Sequence, residues 1–319
     1  MIDTDVIIVG GGPAGSTCAW KLGRENVNCI ILDKKTFPRV KVCAGWITPK
    51  VVSDLEINLD DYPYSMVTFD KIYFHLYGRK IKFGTIQYSI RRYEFDAWLL
   101  ERAGVPVYQH QVKNIIRQDD HYIIDDTYRC RYLVGAGGTY CPVYRTFFKE
   151  VNPREKLHLI TALEAEFPYD IRNNECHLWF FENRLPGYSW YVPKGNNHLN
   201  IGIGGYFHKL KHNSDTIREQ WDYFVNNLRR LSLVEDIPAK PKGYNYYLRQ
   251  RVRIGQINKA YIIGDAAGLA TKDMGEGIGP AVESGLLVAD SILNGTPYSL
   301  RSITKSSIIN ILLAKYRYR

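Results

Sequence analysis

The sequence predicts an α/β protein in which a parallel sheet is interrupted by a long β-rich insert. Three observations carry this reading. Apolar runs at Val6-Ile7-Ile8-Val9 and Ala260-Tyr261-Ile262-Ile263, and the stretch Arg131-Tyr132-Leu133-Val134, apolar after its arginine, suit strands buried on both faces. Each run exits into glycines, at Gly10 to Gly15, Gly135-Ala136-Gly137-Gly138 and Gly264-Asp265-Ala266-Ala267-Gly268. Between the second and third runs, residues 157–205 read as short antiparallel strands rich in aromatic residues.

The first glycine stretch fits G-x-G-x-x-G, with Gly10, Gly12 and Gly15 in place and Pro13 and Ala14 between them. Gly10 permits a tight turn, Gly12 lets a pyrophosphate approach the backbone, and Gly15 lets the next helix pack on the strand. That helix is expected over 14–22, with its free N–H groups facing the phosphates. A second strand, Cys29 to Leu32, ends in Asp33, a carboxylate placed to accept from a ribose. Strand, turn, helix, strand and acid agree, so a dinucleotide site outweighs a merely structural glycine turn.

Pro38 and Gly45 mark the stretch after Asp33 as loop, and 69–90 reads as a hairpin turning at Gly78-Arg79. Helical spacing follows over 91–100, then short strands near 105–108, 112–116 and 122–124. Beyond the β-rich middle, a helix is expected over 215–231 with Ser214 as N-cap, and one more strand over 244–252. Gly275-Glu276-Gly277 opens a last helix over 278–293, closed by Gly295 and Pro297. The halves are expected to interleave. The first comprises 1–65, 91–155 and 252–319, and the inserted β-rich half comprises 66–90 and 156–251.

The 319 residues suffice for a large core and two domains, and 45% hydrophobic with 24% charged content is ordinary for a soluble protein. The net charge of +9 is spread widely and no nucleic-acid motif occurs, so nucleic acid is not an expected partner. No apolar run approaches a membrane span, no leader is evident, and six cysteines without C-x-x-C spacing fit reduced thiols. A cytoplasmic protein is expected, without a metal site. The end of the chain leaves two readings open. Ile308 to Leu313 followed by Lys315-Tyr316-Arg317-Tyr318-Arg319 is either a packed helix with a solvated basic end or a peripheral membrane contact.

Taken together, the three glycine motifs resemble those of the two-domain FAD-dependent oxidoreductases of para-hydroxybenzoate hydroxylase-like fold. The resemblance implies an FAD-binding Rossmann-type parallel sheet domain with an inserted antiparallel β-rich substrate domain. Within that fold, three stretches resemble the geranylgeranyl reductase family. They are Phe37-Pro38-Arg39 through Cys43-Ala44-Gly45, Gly187-Tyr188-Ser189-Trp190-Tyr191-Val192-Pro193-Lys194, and Asp265 to Gly279. The resemblance implies FAD contacts at Gly10, Gly12, Pro13, Ala14, Gly15, Asp33, Lys34, Lys41, Cys43, Ala44, Arg92, Gly137, Gly264, Asp265, Gly275, Gly277 and Ile278. Asp265 holds the ribityl chain in such enzymes, and a helix N-terminus at Gly277 stabilises charge on the reduced flavin. Arg91 competes with Arg92 for its role. Cys43 reads equally as a small buried residue or as a catalytic group beside the isoalloxazine.

Tyr188 and Trp190 share strand parity and therefore a face, where the resemblance implies a substrate wall. Gly137 departs from the family by replacing its aspartate, which leaves the use of NAD(P)H or ferredoxin as electron donor open. Val192 replaces the family's phenylalanine, and Lys272 stands where a proline is common. The implied activity is reduction of carbon–carbon double bonds in an isoprenoid or other apolar lipid. Two alternatives remain: an aromatic hydroxylase or halogenase on the same fold, and a flavin protein that passes electrons to a partner.

Overall fold

The computed structural model describes residues 1–171, 174–212, 216–238, 240–252 and 254–317. In chain order these form β1 (Ile2–Val9), α1 (Pro13–Arg24), β2 (Cys29–Asp33), β3 (Trp46–Ile47), α2 (Pro49–Asp54), β4 (Val67–Leu76), β5 (Arg79–Ser89) and α3 (Arg92–Arg102). Next come β6 (Val107–Gln109), β7 (Ile115–Gln118), β8 (His121–Ile124), β9 (Tyr128–Gly135), β10 (Leu159–Pro168), β11 (Cys176–Phe180), β12 (Gly187–Lys194) and β13 (His198–Tyr206). The chain then continues through α4 (Phe207–His212), α5 (Ile217–Arg230), β14 (Lys242–Tyr247), β15 (Gln256–Ile257), β16 (Ala260–Ile262), α6 (Ile278–Asn294) and α7 (Ser307–Arg317).

Two compact units result. The first comprises Met1–Val40, Tyr93–Arg154 and Tyr247–Ser307. Its sheet runs β15-β16-β9-β1-β2-β6, with β7 and β8 continuing from β9. The five strands β16, β9, β1, β2 and β6 pair in parallel. Ile7, Val9, Ile30, Leu32 and Leu133 fill one side of this sheet, and Val6, Ile8, Ile31 and Val134 fill the other. Burial on both sides is why the sequence reads as continuous apolar runs there. On the second side α1 meets α6 closely. A Cβ on Gly285 would stand 2.5 Å from the Ala14 carbonyl oxygen, so the crossing needs a glycine.

The second unit comprises Lys41–Arg92, Glu155–Tyr246 and Ile308–Arg319. Its sheet is ordered β14-β10-β13-β12-β11-β4-β5-β3. The pairs β10–β13, β13–β12, β12–β11, β4–β5 and β5–β3 are antiparallel, while β11 and β4 run parallel where the two chain segments join in the sheet. One face packs on α5, where Ala165, Phe167, Trp179, Tyr191, Ile201 and Ile203 meet Trp221, Phe224 and Leu228.

Several expectations change. Residues 41–65 belong to the second unit, because β3 pairs with β5 as the outermost strand of its sheet; Arg91, Arg92 and the chain from Ile308 on, all expected in the first half, belong to it as well. The strand expected over 244–252 ends at Tyr247, after which Leu248 makes a single bridge to Ala270 in the first unit. Ser214 lies outside the described residues; Thr216 caps α5 in a reciprocal box with Glu219. The side chains of Lys315 to Arg319 are likewise outside the description, although Ile311 and Ala314 of α7 are buried. No helix among the described residues is long and apolar enough to cross a membrane.

Candidate functional site

In the first unit, the glycine turn is shaped by sterics at two positions. Gly10 has φ +115°, and a Cβ there would stand 2.5 Å from the Ala136 carbonyl oxygen. A Cβ on Gly15 would stand 1.9 Å from the Gly10 carbonyl oxygen, so any side chain would push α1 off the strand. Gly12 is different. The nearest atom to its missing Cβ is Arg39 Nη2 at 3.5 Å, leaving the backbone approachable and bordered by a cation. Arg39 is held in place by Asp96, fully buried at 3.5 Å, and by the Phe37 ring. Asp33 fastens the turn, since Gly11 N–H donates to one carboxylate oxygen and Lys35 N–H to the other, both at 2.8 Å. Lys34 is exposed beside it.

The other two motifs converge in the same unit. Gly264 turns with φ +55° and donates its N–H to Ser284 Oγ at 2.9 Å, which ties the turn to α6. Asp265 Oδ1 lies 3.4 Å from where a Cβ on Gly277 would be, so the aspartate faces the start of α6 beside Gly275 and buried Ile278. Glu276 accepts from Gly279 N–H in that first turn, and burial raises its carboxyl to about 7. Gly137 is exposed, and a Cβ added there would stand 3.1 Å from Cys141 Cα. Crowding against the following turn therefore favours glycine where an aspartate was expected.

Arg154 links the two motifs. Its guanidinium donates to the carbonyls of Thr139, Asp265 (3.3 Å) and Ala266 (2.8 Å) and stacks on Tyr144. The open backbone at Gly12, the neighbouring cation and the helix N-terminus suit a pyrophosphate, and the Asp265–Gly277 corner suits a polyol and ring. These residues fit FAD.

The second unit presents a different arrangement on the sheet face opposite α5. Register puts Tyr188, Gly204 and Ala162 in one row, Trp190, Gly202 and Glu164 in the next, and Val192, Asn200 and Glu166 in a third. The Trp190 indole lies across Gly202, where a Cβ would meet the ring at 2.1 Å. Its Nε1 donates to Asn200 Oδ1 at 2.8 Å. Aromatic rings continue the face sideways. Phe83, Phe74, Phe180, Tyr188 and Trp190 follow one another at centroid distances of 4.9–5.8 Å across four strands. At about 4.8 Å per strand this is an apolar track roughly 15 Å wide.

Its Trp190 end is polar. Lys194 is 2% exposed, donating to the carbonyls of Ala44 and Ile90, the latter at 2.9 Å. Burial lowers its pKa to about 8, with Glu166, Cys43 and Glu164 opposing the shift. A Cβ on Gly45, which has φ +62°, would stand 2.2 Å from the Ile90 carbonyl oxygen and 2.6 Å from the ammonium, which explains the glycine after Cys43-Ala44. Asn200 Nδ2 approaches Cys43 O at 3.4 Å and Glu166 Oε2 at 3.3 Å, and Arg91 Nε donates to Glu166 at 3.0 Å. Among six free cysteines Cys43 is the one that is not buried. Glu164 is 6% exposed with an unpartnered Oε2, and burial raises its pKa to about 7.

The structure thus gathers Gly10 to Gly15, Asp33, Gly137, Gly264, Asp265, Gly275, Gly277 and Ile278 in the first unit. It gathers Lys41, Cys43, Ala44, Arg92, Tyr188 and Trp190 in the second. Lys41 sits over the Tyr244 ring, and Arg91 is committed to Glu166 while Arg92 is buried at the start of α3. Sequence reasoning missed Arg154, Glu164, Lys194 and Asn200. Only the alternating parity of 162-164-166, 190-192-194 and 200-202-204 could have signalled the last three, by placing charged and polar groups on an apolar face.

Residues 8–57 match a family described as an NAD(P)-binding Rossmann-like domain. An uncharacterized protein of Methanosarcina barkeri is 31% identical over 311 residues, covering 90% of this chain and 74% of its own. Digeranylgeranylglycerophospholipid reductase 2 of Methanosphaera stadtmanae is 25% identical over 327 residues, covering 95% and 82%. A geranylgeranyl bacteriochlorophyll reductase-like structure from Thermoplasma acidophilum superposes with TM-score 0.79 at 21% identity, covering 92% and 80%.

Proposed function

The chain belongs to the geranylgeranyl reductase family of FAD-dependent oxidoreductases, and from that premise we propose that it saturates carbon–carbon double bonds in an isoprenoid or similarly apolar lipid. The observation that supports this substrate class is the row of five aromatic rings ending at Trp190. A chain of isoprene units offers no hydrogen-bonding groups along its length, so recognition must come from buried apolar area, about 25 cal/mol per Å². Rings set side by side on one sheet face supply that area and exclude water. Trp190 is itself fixed by Asn200 and the glycine beneath it, so the wall is preorganised.

When bound, reduced FAD supplies the hydride. The Gly12 backbone, Arg39 and the α1 N-terminus hold its pyrophosphate, Asp265 its ribityl chain, and the α6 amides favour negative charge at the ring. Cys43 and Ala44 border the reacting double bond in this reading. The electron donor is either a nicotinamide or a ferredoxin-like protein, and the substrate is an apolar small molecule.

Phe180→Ala and Tyr188→Ala test the reading without disturbing the fixed Trp190. Product formation from prenyl lipids of increasing length, with dithionite as donor, should show a penalty that grows with chain length. For a long chain it should approach about 2–3 kcal/mol, while FAD content stays at the wild-type level. A penalty independent of length would remove the prenyl reading and favour the hydroxylase, halogenase or electron-transfer alternatives.

A further inference from the structure

Reduction of an unactivated double bond consumes a proton as well as a hydride, and the family motifs identify no proton source. The second unit offers one. We propose that Glu164 donates this proton and that Lys194 holds the negative charge left behind; the assignment rests on the reductase reading above.

Four observations converge on Glu164. It stands in the same row as Trp190, separated from it only by Gly202, whose lack of a side chain lets the indole extend toward the acid. Its Oε2 is buried and has no hydrogen-bond partner, which a permanently ionised carboxylate would not tolerate. Burial raises its pKa to about 7, Glu166 adds to the rise, and Asn200, Lys194 and the Cys43 backbone offset it only in part. Glu166, the other acid in the cluster, accepts instead from Arg91 and Asn200. Glu166 is therefore held by an arginine and an amide, whereas Glu164, facing no arginine, keeps one buried oxygen unpartnered, where a proton can reside.

The groups facing Glu164 suit both of its states. Glu166 lies two residues along on β10, Lys194 on β12, Asn200 on β13, and the Cys43 segment packs over them. Lys194 also faces Cys176, and Arg91 faces Glu166. Once the proton leaves, the buried ammonium, the Asn200 amide and the Cys43 backbone stabilise the carboxylate. The step balances. The hydride brings two electrons and one hydrogen to one alkene carbon. The Glu164 O–H bond breaks as a C–H bond forms at the other carbon, and solvent water reprotonates the carboxylate between turnovers.

The test uses the full FAD-loaded chain reduced by dithionite, with a prenyl lipid as substrate. Glu164→Gln should slow reduction about 100-fold or more at pH 6. Flavin content and prenyl-lipid binding should remain at wild-type levels. The wild-type rate should fall as pH rises through about 7, and the variant should lack that limb. Infrared difference spectra of wild type minus variant, with oxidised flavin, should show a protonated carboxyl that titrates in the same range. Glu276 titrates there too, but it is present in both proteins and cancels.

A Glu164→Gln rate within about threefold of wild type, a retained limb or a carboxyl ionised throughout would overturn the assignment. Should the glutamine variant fail to fold, Glu164→Asp decides: a measurable rate with a displaced limb supports the donor role, and an unmoved limb refutes it. Wild-type protein inactive on every prenyl lipid would instead defeat the reductase reading, and the donor role with it. An active wild type with an indifferent Glu164→Gln defeats the donor role alone.

Discussion

Replacing Arg154 by methionine should destabilise the protein and loosen its flavin together. The guanidinium gives hydrogen bonds to three carbonyls, of Thr139, Asp265 and Ala266, and lies 3.7 Å from the Tyr144 ring centroid. A hydrogen bond from a charged donor contributes about 1.5–3 kcal/mol net, and recovered guanidinium hydration offsets part of the loss. We expect Arg154→Met to cost about 2–4 kcal/mol, a fall in Tm of roughly 5–15 °C for a unit of this size. Because two of the carbonyls flank the Asp265 turn, FAD affinity should fall about tenfold, equivalent to about 1.4 kcal/mol. Arg154→Lys keeps the charge but not the planar fork, so it should recover less than half of each effect. Urea unfolding of the apoprotein and fluorescence titration with FAD separate the two quantities. Full affinity in a destabilised Arg154→Met protein would refute the link between this arginine and the flavin turn.

Asp265→Ala should weaken FAD about 5- to 150-fold with little change in apoprotein Tm, while Asp33→Ala should lower Tm as well, because two backbone amides lose their acceptor. Equal flavin loss without a Tm difference would contradict the two placements. Gly137→Asp should cost about 1–3 kcal/mol through the crowding at Cys141 Cα, and it should speed anaerobic bleaching by NADPH. Unchanged bleaching in the folded variant would point to a ferredoxin-like donor. Burial raises Glu276 to about 7, so the native state binds the extra proton between the unfolded value of 4.5 and about 7. Its stabilising contribution is full below pH 4.5 and lost as pH rises through 7. The stability of Glu276→Gln relative to wild type should therefore climb over that window in urea titrations; a flat difference would count against it.

What the sequence disclosed depends on how far apart the interacting residues lie. Gly15 is legible because its constraint is local, a side chain there striking the Gly10 carbonyl oxygen; Gly10 is legible through the motif spacing, although the backbone its side chain would strike is at Ala136, far along the chain. Apolar runs at Val6–Val9 and Ala260–Ile262 are legible because burial on both sheet faces leaves no polar position. The β3–β5 pairing was hidden, since two residues carry no periodicity and their partner is more than forty positions on. Likewise β4 and β11 pair across about a hundred residues, and nothing in either strand states the parallel sense.

The same reasoning explains why the glycines of the cofactor side could be read and the charges of the substrate side could not. Lys194 looks in sequence like the solvated end of a strand, yet its partners are carbonyls at Ala44 and Ile90, each at least a hundred residues away. Glu164 and Glu166 are both acids two positions apart, and the sequence offers no reason to treat them differently. The sheet register does: Glu166 falls opposite Asn200 and within reach of Arg91, whereas Glu164 falls opposite Gly202, which has no side chain to give it a partner. A glycine placed to admit the Trp190 indole thereby offers no side-chain donor across the strand, and one oxygen of the neighbouring carboxyl stays without a partner. One small residue can thus set both the shape of the apolar wall and the protonation of the acid beside it. Gly202→Ala separates the two effects from the Glu164 chemistry. Its Cβ would displace the indole, so prenyl binding and the acid's titration should change together, whereas Glu164→Gln should abolish the titration and slow reduction while leaving prenyl binding at the wild-type level.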